Sequence, residues 1–163
     1  MIDITLKRFA FKFYAPIIVF LLVAVIVWFV QSSRTREDIS LLITLVGGLV
    51  SFFYFIQKEK LEELELFKQL FTEFNSRYDK LNGRLNKIVI QDPQKPLSPN
   101  EENTLNDYFN LCAEEFLFYK RGYIYEEVWQ AWQNGMSYYI AFKRIGDKWK
   151  EEEKTNSYYG LKI

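Results

Sequence analysis

The stretches FYAPIIVFLLVAVIVWFV (Phe13–Val30) and ISLLITLVGGLVSFFYFI (Ile39–Ile56) decide the fold, because each carries eighteen residues without one charge. Only eight residues, QSSRTRED (Gln31–Asp38), separate them. A hydrocarbon core ~30 Å thick demands about 20 predominantly apolar residues of a helix, and runs of ~18 or more qualify. Backbone N–H and C=O groups find no water at that depth, so such a run takes the form of a helix that satisfies its own. The pair predicts a transmembrane hairpin in residues 1–57, with the eight residues as a tight turn. The first run exceeds the ~7–15 apolar residues of a signal peptide, and Val30-Gln31-Ser32-Ser33 is a poor cleavage site.

Flanking cations set the expected orientation. Lys7, Arg8 and Lys12 precede the first run, Lys58 and Lys60 follow the second, and Arg34 and Arg36 lie in the turn. Positive charge concentrates on the cytoplasmic side, which favours an inner (cytoplasmic) membrane protein with both termini in the cytoplasm. Tyr14 and Tyr54 then lie near the inner interface and Trp28 near the outer one, where amphipathic rings prefer to sit.

In the second run Ser40, Thr44 and Gly48 recur every four residues, and Gly47 and Ser51 form another small pair. Small residues at that spacing let helix backbones approach closely in lipid. The stripe either seats the first span of the same chain or joins chains into a homo-oligomer. Neither run holds an ionisable residue, which argues against an ion or proton path through one chain. A pore would need several chains, lined by Ser40, Thr44 and Ser51.

The oily third is diluted by a charged remainder, so mean hydropathy is only −0.15. Residues 58–163 hold 16 basic and 18 acidic side chains, a solvated domain with no strong field. Nucleic acid, which favours a basic face, is therefore not an expected direct partner. With one cysteine, Cys112, no internal disulfide is possible, and with no histidine the imidazole-based nucleophile pairs, metal sites and pH switches are absent.

From Leu64 the apolar positions Phe67, Phe71, Phe74, Tyr78, Leu81, Leu85 and Ile88 alternate gaps of four and three, a heptad seam. A helix unbroken from Ile39 to Ile90 would run roughly 78 Å and link the membrane mechanically to the distal domain, with Gly83 as the place for a bend or break. Four aromatics sit where a coiled coil prefers Leu and Ile, so packing against later helices outweighs an interchain coiled coil. Prolines 93, 96 and 99 end this helix in a Pro-rich linker, 91–100. Ser98-Pro99-Asn100-Glu101 is a helix start with a capping box. The next helix, 99–121, buries Leu105, Tyr108, Phe109, Cys112, Phe116 and Tyr119, with Gly122 at its cap. A third, 125–134, presents Val128, Trp129 and Trp132 and stops at Asn134-Gly135. A fourth, 136–154, offers Tyr139, Ile140, Phe142 and Trp149 and is interrupted by Gly146. Tyr158-Tyr159-Gly160-Leu161 closes the chain against the core. The fold class is thus an all-α membrane protein, a two-helix hairpin followed by a cytoplasmic helical bundle of three to four helices (residues 58–163).

Chemistry is sparsely equipped. Glu114, Glu115, Glu126 and Glu127 with Asp107 are the acids that could converge, but acidic pairs on amphipathic helices usually form a solvated face. Cys112 falls on the apolar stripe and reads as an inert core thiol. No phosphate-binding glycine loop occurs. No catalytic, metal or cofactor-binding set is expected, and the chain does not read as an enzyme. Tyr123, Tyr125, Trp129, Trp132, Tyr138 and Tyr139 are either core or a surface for a protein partner or ligand.

Asp107-Tyr108-Phe109-Asn110-Leu111-Cys112-Ala113-Glu114-Glu115-Phe116, Gly122-Tyr123-Ile124, Glu127-Val128-Trp129, Trp132 and Gly135-Met136 together resemble a widespread group of small bacterial proteins with a membrane hairpin and a helical cytoplasmic domain. The likeness spans roughly residues 64–160 and carries no catalytic motif. The two-span architecture also resembles membrane effectors of bacterial antiphage systems, some retron-type, in which a sensor restrains the effector until release damages the inner membrane. That resemblance implies an abortive-infection effector, with the lipid bilayer, other copies of the chain and a cytoplasmic protein as partners. The other expectation is an anchor or scaffold that recruits a soluble partner through the helical domain.

Overall fold

A computed structural model describes residues 4–163, with side chains described from Phe11 onward. The described residues are all-helical, with no strand: α1 (Ile4–Gln31), α2 (Arg36–Val89), α3 (Pro99–Lys120), α4 (Glu126–Ile140) and α5 (Lys143–Glu153). They divide into two compact units, Met1–Glu65 and Leu66–Ile163.

In the first unit, α1 and the start of α2 are both long and apolar enough to cross a membrane. Only 11% and 6% of their apolar windows are buried inside the protein, whereas the core helix of a soluble protein would be mostly covered. Four residues, 32–35, join the helices, and local chemistry fixes the joint. The Ser32 N–H returns to Trp28 O (3.0 Å) and its hydroxyl donates to Phe29 O (2.9 Å), ending α1. Thr35 and Asp38 cap α2 reciprocally: Thr35 N–H donates to Asp38 Oδ2 (2.9 Å) and Asp38 N–H to Thr35 Oγ1 (3.2 Å). The orientation signal at Lys7 and Arg8 lies outside the described side chains.

Large side chains form the covered face between these helices. Tyr14, Ile18, Leu22, Val25 and Phe29 on α1, and Leu42, Val46, Leu49, Ile56 and Gln57 on α2, are the more protected positions, and Ile18 and Ile56 are fully buried. A polar cluster closes one end. Gln57 Nε2 donates to Tyr14 OH (2.6 Å), Lys60 lies over the Tyr14 ring (5.2 Å), and Tyr14 meets Phe53 (5.7 Å).

The second unit has its own core, in which Leu66–Val89 of α2 meets α3, α4 and α5. Of the expected seam, Phe74, Leu81, Leu85 and Ile88 are fully buried. Leu64 and Phe71 are instead exposed, and Leu70 joins the core in their place. Leu64 precedes the second unit, and Phe71 lies at the edge of the buried face, where its ring stacks on Trp132 (6.0 Å). α2 continues through Gly83 without a break.

α3 begins as its residues require. Glu101 Oε2 accepts from both the Ser98 N–H and the Ser98 hydroxyl, each at 2.8 Å. It ends in a Schellman turn: Gly122 takes φ +79°, its N–H bonds Tyr119 O (2.7 Å), and the Tyr123 N–H bonds Phe118 O (3.0 Å). The Phe118 and Tyr123 rings pack across that turn at 6.0 Å.

Two expected boundaries are corrected. α4 does not stop at Asn134-Gly135 but runs on to Ile140, because Trp129, Trp132, Met136 and Tyr139 form one inward stripe. Burying Met136 and Tyr139 outweighs the ~1 kcal/mol cost of one helical glycine. The break falls at Ala141–Phe142, and Gly146 does not interrupt α5 but lies inside its first turns. A Cβ there would collide with the backbone carbonyl of Ile140, so glycine is what lets α5 start hard against the end of α4.

Arg144, on α5, is the polar tie of this unit. Its side chain is 4% exposed and every guanidinium nitrogen is bonded. Nη1 and Nη2 fork onto Glu101, Nη1 also reaches Ile88 O (3.3 Å), Nη2 reaches Pro96 O (3.2 Å), and Nε reaches Lys95 O (2.9 Å). One residue thus joins α5, the start of α3, the end of α2 and the proline linker. The tail docks as expected, with Tyr158 and Leu161 buried. Tyr159 (φ +53°) and Gly160 (φ +81°) make the turn between them, closed by Leu161 N–H to Tyr158 O (2.9 Å).

Candidate functional site

The small-residue stripe faces away from α1. Ser40, Thr44, Gly47, Gly48 and Ser51 are all exposed, and a Cβ built on Gly47 or Gly48 meets nothing within 4 Å. The Thr44 hydroxyl bonds its own helix at Ser40 O (2.9 Å), which leaves a smooth, self-satisfied surface. Seating of α1 by this stripe is therefore not what the structure shows. The bulkier Leu42, Val46 and Leu49 face α1 instead, because side chains of that size fill the space between helices whose backbones stay apart.

The six aromatics do not form one surface. Trp129 is buried between Tyr119 (4.9 Å, stacked) and Phe116 (5.5 Å). Trp132 packs on Phe71 and Phe74, and Tyr125 on Phe67 at 4.4 Å. Tyr139 is buried, with its hydroxyl 2.9 Å from Asn82 Oδ1 and bonded by Tyr78 OH (3.3 Å). Only Tyr123 and Tyr138, at 42% and 58% exposure, present large faces to the outside.

The acids likewise separate. Glu114 takes a forked bond from Arg77, at 2.5 and 3.1 Å. Glu126 is exposed and accepts from Tyr119 OH (2.7 Å) and Gln130 (3.0 Å), which holds its carboxyl below the usual range. Asp107 and Glu127 are exposed. Among the described residues no group of three His, Cys, Asp or Glu is placed to hold a metal ion. Cys112 is 1% exposed, and burial followed by the nearby Glu115 pushes its thiol well up, so it stays protonated.

Glu115 differs from the other acids. It is 5% exposed, accepts no hydrogen bond among the described residues, and is pushed up to about 8, chiefly by burial and then by Glu114, against the pull of Arg77. It lines a cavity of about 210 Å³ between α2, α3 and α4. Tyr78, Tyr108, Trp132, Leu111 and Met136 give that cavity its apolar walls, and Asn75 adds a polar edge. Sequence alone gave Glu115 no distinction from Glu114. The signal was its helical phase, one turn from Leu111 and Cys112 on the buried side of α3. In comparisons with known proteins, the chain matches no family model, no curated protein and no solved structure.

Proposed function

We propose that the chain is a bacterial inner-membrane effector of an antiphage, abortive-infection system, with both termini in the cytoplasm. A cytoplasmic partner holds its helical bundle, and release lets hairpins associate and perturb the bilayer. The observation that carries this reading is the small-residue stripe Ser40-Thr44-Gly48, exposed on the side of α2 away from α1. A span whose large side chains already serve its own hairpin keeps its close-approach surface for another copy. Two further features support it: spans almost uncovered by protein, and the continuation of α2 from its span into the core of the second unit.

The test is to induce the chain in a bacterium and follow membrane potential and entry of an impermeant dye. Depolarisation that depends on Gly48 supports the reading; full polarisation at high expression, with and without phage challenge, overturns it. The second reading is an anchor that recruits a soluble protein through the helical domain. Exposed Tyr123 and Tyr138 favour it, since aromatics are enriched at protein contacts. It predicts no toxicity and a complex retained in mild detergent.

A further inference from the structure

We infer that the cavity between α2, α3 and α4 is a binding site for a compact organic cation, an alkylammonium head group held by Glu115 within a box of Tyr78, Tyr108 and Trp132. Glu115 lines the cavity and accepts no hydrogen bond among the described residues, with Arg77 acting on it only through its charge. Arg77, the nearest cation, has committed its fork to Glu114 on the same helix. The residue is 5% exposed, so its carboxyl oxygens are left to whatever enters the cavity.

The other polar groups of the cavity sharpen the class of ligand. Asn75 spends an amide N–H on Phe71 O (2.7 Å), and its Oδ1 accepts no hydrogen bond among the described residues. Tyr78 donates its proton to Tyr139 (3.3 Å), and burial, with the neighbouring Cys112 thiol, keeps the Tyr108 hydroxyl protonated. Of the donors on the lining side chains, the Trp132 indole N–H and the second amide N–H of Asn75 have no partner among the described residues. Glu115 is the one charged side chain on the lining, and it sets the class of ligand. Aromatic rings lining a cavity beside a carboxylate favour a cation over a neutral donor. The volume of 210 Å³ falls below the ~300–1,000 Å³ typical of drug-sized ligands and suits a head group with a short aliphatic stem. The charged and titratable groups facing Glu115 are Arg77 and Tyr78 from α2 and Tyr108, Cys112 and Glu114 from α3, while α4 contributes only Ala131, Trp132, Gly135 and Met136. The site is independent of the effector reading, since it needs only the second unit's core.

Calorimetric titration of the full chain in detergent with n-butylammonium chloride tests the site. Saturable binding is expected, tightening about tenfold per pH unit between pH 6 and 7.5, because Glu115 must release its proton to the solvent while the amine stays charged. Glu115→Gln should weaken binding at least tenfold with helicity unchanged. If that variant fails to fold, Ala131→Phe, on an exposed lining position, should block the cavity and abolish binding. No saturable binding at pH 8.5, equal binding by both variants, or pH-independent binding overturns the assignment. Titration with Nα-acetyl-lysine amide separates the sources: tighter binding than n-butylammonium assigns a protein lysine, weaker binding a free amine.

Discussion

Arg144 and Glu101 form a two-pronged ion pair, Nη1 3.1 Å from Oε1 and Nη2 3.0 Å from Oε2, on side chains 4% and 15% exposed. The same carboxylate caps the first turn of α3 through Ser98. An arginine with three backbone carbonyls as well as the carboxylate leaves no buried proton unsatisfied, which is the condition under which burying a charge is tolerated.

Arg144→Met therefore strands Glu101 and the carbonyls of Ile88, Lys95 and Pro96. A loss of about 3–5 kcal/mol is expected, read from urea denaturation of the detergent-solubilised chain by tryptophan fluorescence. Arg144→Lys should recover little, because an ammonium cannot span the same fork. A cost below about 1 kcal/mol for Arg144→Met would show the tie to be ornamental.

Glu101 and Glu115 shape the pH profile from opposite ends. Glu101 is held at about 2, first by its bond to Arg144. Its folded value lies below the unfolded 4.5, so its stabilisation is present above pH 4.5 and disappears as pH falls toward 2. Glu101→Gln should flatten that acid limb.

Glu115 carries the reverse sign. Its folded value, about 8, lies above the unfolded 4.5, so its contribution is full below pH 4.5 and is lost as pH rises through 8. The stability difference between the chain and Glu115→Gln should swing by about 3–5 kcal/mol between pH 4 and pH 9, in favour of the variant at high pH. Parallel unfolding curves at both pH values would contradict the burial of this carboxyl.

Three glycines in helices should respond with opposite signs. Gly146→Ala drives a methyl into the Ile140 carbonyl and should cost about 1–3 kcal/mol. Gly83→Ala and Gly135→Ala meet open space and should each stabilise by about 0.5–1 kcal/mol. Thermal unfolding followed by circular dichroism ranks the three.

Gly48→Ile places a branched side chain on the outward stripe without touching α1. Crosslinking in membranes should lose its dimer and higher bands, and dye entry should fall with it, while Leu42→Ala should leave crosslinking intact. Unchanged crosslinking in Gly48→Ile would remove the basis for association through this face.

The two long apolar helices, the capping box at Ser98 and the cap at Gly122 were legible because each rests on local chemistry. An uncharged run of eighteen residues makes a helix long enough to cross a membrane, Ser-x-x-Glu bonds itself, and a positive φ asks for glycine. The end of α4 was misread because Asn134-Gly135 is a genuine local stop signal that tertiary burial of Met136 and Tyr139 overrides. Gly146 was read as a breaker when its meaning lay in a neighbour, the Ile140 carbonyl, that no local window contains. Arg144 gave no signal at all, since its partners lie 43 to 56 residues away. A separation of 37 residues likewise hid the fork of Arg77 on Glu114, which leaves Glu115 beside it without a hydrogen bond.

The solitary thiol of Cys112, sealed in the core, makes the native chain silent to maleimides. A cysteine installed at Ser33 in the turn would be the chain's one accessible thiol, so its labelling on intact cells, or its failure to label, would report on which side the turn lies. The same silence turns slow labelling of Cys112 into a clock, ticking only when the core breathes open.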